Sequence, residues 1–187
     1  PIDMGSRLQL FVDDYLIESL QDADRQLHHP LPREVAIVHD APWEGNTCYY
    51  HTVFKDGDIY RMYYRGAHAG PRTSHPDAIG HQVVCYAPSQ DGIRWTKPTL
   101  GLFEFDGTKE NNIIWTGIGA HNLAPFKDSN PDCTPEARYK AIGHGKGGLY
   151  AFQSADAIHW SLIRTEPVIT RGAFDSQNLA FFDTVRG

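Results

Sequence analysis

Ser89-Gln90-Asp91-Gly92-Ile93-Arg94-Trp95 returns as Ser154-Ala155-Asp156-Ala157-Ile158-His159-Trp160. From serine to serine (89 to 154) and from tryptophan to tryptophan (95 to 160) the spacing is 65 residues. A fixed period of this size marks a repeated supersecondary unit. The flanks echo as well. Tyr60-Arg61-Met62-Tyr63-Tyr64 precedes the first copy and Tyr139-Lys140-Ala141-Ile142 the second. Phe103-Glu104-Phe105-Asp106-Gly107 follows the first and Gly172-Ala173-Phe174-Asp175 the second. A Ser or Asp side chain can accept hydrogen bonds from backbone N–H groups two or three residues on, closing a turn locally. Asp91 and Asp156 are therefore read as turn-builders, and the Ile and Trp that follow are expected to return to the core. Gly92 reaches positive φ freely. Ala157 in its place implies strain or a different winding.

Working outward, nearly every periodic stretch is strand-like. Residues 7–18 read as strand, acidic turn and strand; 34–39, 82–88, 112–116, 121–126, 168–169 and 179–182 as single strands. Residues 48–54 and 59–65 form a hairpin around Asp56-Gly57, and 138–144 with 148–153 a second one. Residues 21–26 are the one short helical candidate, and 66–80 a long exposed loop. The fold class is all-β. A unit near 65 residues with about four strands has the size of a propeller blade. A β-sandwich is the runner-up, but it does not predict the echo.

Composition bounds function. A net charge of −6 with no basic stripe argues against nucleic acid. Aromatics at 12% suit stacking on sugar faces, and equally suit strand cores. Cys48, Cys85 and Cys133 are too scattered for a disulfide framework or a zinc site, and Cys85 reads as simply buried. No apolar run reaches about 18 residues, so no membrane-spanning helix and no membrane partner are expected. The opening Pro1-Ile2-Asp3-Met4 is no signal segment, and a cleaved one leaves no trace. Secretion or a periplasmic location is the expectation, with the cytoplasm left open. Asp128-Ser129-Asn130-Pro131-Asp132 lacks the glycine and glutamate of a calcium loop. His28-His29 and His144 lack ligand spacing. Neither metal nor cofactor is expected.

Four stretches together resemble the five-bladed β-propeller glycoside hydrolases of families 43 and 32. They are Leu10-Phe11-Val12-Asp13-Asp14-Tyr15-Leu16-Ile17-Glu18, Tyr60-Arg61-Met62-Tyr63-Tyr64-Arg65-Gly66, the repeated turn, and Phe174-Asp175-Ser176-Gln177-Asn178. The resemblance implies a five-bladed propeller of about 300 residues, of which this chain holds about two and a half blades. The blade-like repeats are expected at about 40–110 and 111–170, with a third starting at 171, all within one partial domain spanning 1–187. The end, Phe181-Phe182-Asp183-Thr184-Val185-Arg186-Gly187, reads as a first strand without its return, hence as a truncation. Unclosed edges imply self-association or completion by missing C-terminal blades.

The resemblance also implies chemistry: hydrolysis of a glycosidic bond in an oligo- or polysaccharide, one carboxyl protonating the leaving oxygen and another activating water or attacking carbon. Carried over, Asp175 is the first catalytic candidate, then Glu44 beside Trp43, then Asp14. Trp43, His121, Asn122, Asn178 and Arg65 are the substrate-binding candidates. Thr47 to Tyr50, where relatives place an acid, holds none, and His121-Asn122 stands where relatives show an Arg-Asp-Pro segment. Each candidate has a structural counterpart: Asp175 as a turn cap, Glu44 as a solvated loop residue, Asp13 and Asp14 as a strand-end turn, Trp43 as a core anchor. The missing acids motivate the alternative, a non-catalytic carbohydrate-binding or scaffold propeller.

Overall fold

A computed structural model describes residues 2, 3, 5, 8–69 and 81–186. The chain divides into two compact units, Pro1–Glu34 and Val35–Gly187. Among its described residues the larger unit has eight strands: β1 (Tyr49–Asp56), β2 (Ile59–Ala67), β3 (Gln82–Ser89), β4 (Ile113–Thr116), β5 (Ala124–Lys127), β6 (Tyr139–Gly145), β7 (Gly148–Ser154) and β8 (Ser161–Leu162). They make two antiparallel four-stranded sheets, ordered β1-β2-β3-β4 and β5-β6-β7-β8. Each sheet is a meander in chain order, and β1 lies close to β5. Among the described residues no helix is long and apolar enough to cross a membrane.

The first sheet is covered on both faces. Alternate residues of a strand point to opposite sides. Met62 and Tyr64 of β2 with Val83, Cys85 and Ala87 of β3 enter one cluster, which Ile37, Trp43, Trp95 and Phe103 cover. Tyr63, Val84 and Tyr86 enter the other, with Leu123, Tyr139, Phe152 and Trp160 of the second sheet and its connections. Burial on both faces is why β2 and β3 read as near-continuous apolar runs. Polar links also join the sheets. Asp56, at the end of β1, accepts bonds from Arg61 Nε (2.7 Å), Lys127 Nζ (2.6 Å) and the Tyr139 hydroxyl (2.6 Å). The Tyr63 hydroxyl donates to the Ala157 carbonyl at 3.0 Å.

The two Ser-x-Asp turns are built alike. Ser89 Oγ accepts from Asp91 N (3.2 Å) and Gly92 N (2.9 Å), and Ser154 Oγ from Asp156 N (3.3 Å) and Ala157 N (2.9 Å). Asp91 Oδ1 takes Ile93 N and Arg94 N at 2.8 and 2.7 Å; Asp156 Oδ1 takes Ile158 N and His159 N at 2.9 and 2.8 Å. Ala157 is not wound differently: its φ is 70° against 74° for Gly92. The cost of a left-handed alanine is about 1 kcal/mol. It is offset locally, because the Ala157 carbonyl also accepts Trp160 Nε1 at 3.2 Å in a buried turn. Gly92 has no such compensation. A Cβ there would meet Tyr60 at an ordinary 3.5 Å, so only the backbone penalty applies. Gly92→Ala is therefore expected to destabilise the protein by about 1 kcal/mol, read from urea unfolding midpoints; no shift would mean the turn is not held at positive φ. Trp160 is buried as expected, whereas Ile93 is 44% exposed, so only the second copy returns its isoleucine to the interior.

Several expected elements are absent among the described residues. Residues 8–18 form turns instead of strands, with Val12 N bonded to the Leu10 carbonyl and Ile17 N to that of Asp14. Leu8, Leu10 and Val12 are 77% exposed or more. An alternating pattern without a face to bury does not hold a strand pair. Residues 21–26 are not helical, and 34–39 are extended but unpaired. There Ile37 packs onto the second core cluster and His39 turns to Glu44. Residues 179–182 likewise pair with nothing, and of 168–169 only Ile169 bridges, to Leu149. The strand at Ser161–Leu162 was not expected: at two residues it is too short to show a period. Most of the loop expected at 66–80 lies outside the described residues; Gly66 and Ala67 belong to β2.

Candidate functional site

Arg65, near the end of β2, is 8% exposed and packs against two tyrosine rings, 5.1 Å from the Tyr49 centroid and 5.2 Å from that of Tyr50. Neighbours on a regular strand point to opposite faces, so one guanidinium could not touch both. A bulge between Tyr49 and Thr52 breaks the β1–β2 register there, and Tyr50 sits at a φ of 58°. Bulges re-aim side chains in this way. Arg65 Nη1 lies 3.0 Å from His121 Nδ1 and 3.4 Å from Nε2, and the His121 ring lies 5.4 Å from that of Tyr50. Since arginine only donates, Nε2 accepts from it while Nδ1–H donates to Gln82 Oε1 at 3.1 Å, the pattern of a neutral ring. Burial, then the Arg65 charge, hold the His121 pKa below its usual value.

The segment after Arg171 comes to the same place. Asn122 is 1% exposed; its amide donates to the Ser176 carbonyl, and its oxygen accepts His144 N at 2.8 Å. Gln177 Nε2 reaches Thr52 Oγ1 at 2.9 Å and the Tyr50 carbonyl at 3.2 Å. The His144 and Phe174 rings lie 6.2 Å apart, and Asn178 donates back to the Phe174 carbonyl at 3.3 Å. Phe174 and Ser176 both hold positive φ, 52° and 63°. Between them Asp175 is exposed, caps Ser176 N at 2.8 Å, and is close enough for its charge to act on His121. Side-chain-bearing residues at positive φ carry strain that gathers where geometry matters for function. Here three of them surround one cluster.

Five of the eight candidates thus meet: Asp175, Arg65, His121, Asn122 and Asn178. Trp43 and Glu44 belong to a separate network. Trp43 Nε1 donates to Asn112 Oδ1 at 2.7 Å and its ring meets Phe105 edge-on, so it anchors the core. The Glu44 side chain is fully buried. It accepts the Tyr64 hydroxyl (2.6 Å), Lys97 Nζ (2.7 Å) and Ala41 N (2.8 Å), and pairs with His39 Nδ1 at 3.4 Å. Burial pushes its carboxyl up, but His39, Lys97, Tyr64 and Ala41 together outweigh that and hold the pKa at about 2. His39 Nε2 in turn meets His51 Nε2 at 3.0 Å. Asp14 lies in the smaller unit, where it pairs with Arg25 at 2.7 Å on an exposed surface.

The sequence reading did not propose Tyr49, Tyr50, His144 or Gln177 as site residues. The adjacent tyrosines ahead of a strand were the one available signal. Gln82 Oε1 also meets His121 Nδ1, at 3.1 Å, and lines a groove of about 640 Å³ with Glu104, Phe105 and Asp106 on its wall. Among the described residues no group of three or more His, Cys, Asp or Glu side chains is placed to hold a metal ion. Chemically the cluster offers one donor fork, a neutral imidazole, two ring faces and one exposed carboxylate. Comparison of the chain with protein-family models and with curated proteins returned no match.

Proposed function

We propose that the chain handles a carbohydrate, as two blades and the start of a third in a five-bladed propeller, at the cluster around Arg65, His121 and Asp175. The observation that carries this reading is the meeting of Arg65, His121, Asn122 and the Asp175 segment beside the first strands of both sheets, next to two tyrosine rings. Two consecutive meanders whose first strands approach each other is the relation of neighbouring blades. Further blades or a second copy would close the ring. Ring faces with a few fixed polar groups suit a pyranose, which offers an apolar face and a rim of hydroxyls.

Binding is the better-supported form. Hydrolysis needs a second carboxyl with a raised pKa near the first. Glu44 is held ionised and sealed from solvent, and Asp175 is the one carboxylate whose charge reaches His121 among the described residues. The exposure of Asp175 beside a neutral imidazole favours hydrolysis as the second reading. A glycan array followed by titration and product analysis separates them. Saccharide retention without cleavage is expected, with Asp175→Asn weakening binding about tenfold through loss of a charged hydrogen-bond acceptor. Product release abolished by Asp175→Asn would establish the hydrolytic form. No retained glycan would end the carbohydrate reading.

A further inference from the structure

The Arg65 guanidinium is buried, yet it makes no ion pair among the described residues, and its only hydrogen bonds run from Nη1 to His121. Its Nε is the one buried side-chain polar atom with no partner among the described residues. Nη2 donates to no described residue either, and it is not sealed off as Nε is. A buried guanidinium ordinarily has a carboxylate or similar anion against it, because desolvating the charge alone is costly. Here Tyr49 and Tyr50 pack against it from neighbouring sides, and Nη2 is the donor left to meet a carboxylate in a charge-assisted hydrogen bond. Tyr49 is 55% exposed and forms the outer wall. His121 is neutral on the opposite side and supplies no competing charge.

We propose that the saccharide taken by this site is an acidic one, whose carboxylate docks on Nη2 of Arg65 while its ring rests against Tyr49. This rests on the carbohydrate reading above and adds the substrate class.

The test titrates the full chain with oligogalacturonate, with its methyl ester, and with a neutral galactose oligomer of the same length. The free acid is expected to bind ten- to a hundredfold more tightly than the other two, and to weaken as sodium chloride is raised. Arg65→Lys keeps the charge and loses the fork. It is expected to remove that preference. The wild-type comparison of acid with ester decides the matter even if the variant fails to fold. Equal binding of all three would overturn the acidic-ligand inference and leave the carbohydrate reading standing. Binding of none would overturn both. An acid preference untouched in a folded Arg65→Lys protein would remove Arg65 as its cause.

Discussion

Asp56→Ala is expected to cost about 3–5 kcal/mol, the range for removing one partner of a buried ionic network. The Asp56 side chain is only 7% exposed and satisfies Arg61 from its own sheet and Lys127 and Tyr139 from the other. Burial raises its pKa, but the bonds from Lys127, Tyr139 and Arg61 outweigh that and hold it below the usual carboxylate range. Without the carboxylate, the Arg61 guanidinium remains in a site where it is 14% exposed, with the Tyr86 hydroxyl as its remaining partner at 2.9 Å. Urea unfolding at neutral pH measures the loss. A change below about 1 kcal/mol would mean that the Asp56 network holds the sheets no better than an exposed pair does.

The second large effect concerns Glu44 and acid. Its folded pKa of about 2 lies below the ordinary 4.5. A depressed pKa contributes stability that is complete above the unfolded value and fades as pH falls toward the folded one. At about 1.4 kcal/mol per unit, roughly 3 kcal/mol is lost between pH 4.5 and 2. Glu44→Gln keeps the volume but only one acceptor oxygen, so either Ala41 N, now on Oε2, or the Tyr64 hydroxyl, now on Oε1, loses its acceptor, and Lys97 is left with Asp40 alone, at 3.1 Å. We expect the variant to be about 2–3 kcal/mol less stable at pH 7 and to lose correspondingly less on acidification. Parallel stability curves for the two proteins from pH 7 to 2.5 would show that Glu44 is not the group being titrated.

Legibility in the sequence followed the range of the forces involved. The repeated turn was readable because Ser89, Asp91 and their backbone partners lie within five residues of one another. The Asp56-Gly57 hairpin was readable for the same reason. Residues 8–18 were not: their alternation is real, but a strand also needs a partner edge, which no local pattern reports. Tyr50 is the sharper case. It reaches Arg65 because of a bulge, and a bulge depends on register with a second strand. Glu44 looked like a solvated loop residue because Lys97, the cation that fixes it, is 53 residues away. His121, Asn122 and Asp175 came from resemblance to a family, and nothing in their spacing announces that Asn122 and Ser176 touch.

Each sheet winds through its strands in chain order, which sets a sequence of events. Pairing of successive strands closes short loops and so proceeds early and quickly in either half. The bridge from Asp56 to Lys127 and Tyr139 spans more than seventy residues and forms only when the halves dock. Its energy is therefore gained late, and where docking follows the rate-limiting barrier it lengthens the lifetime of the native state against spontaneous opening.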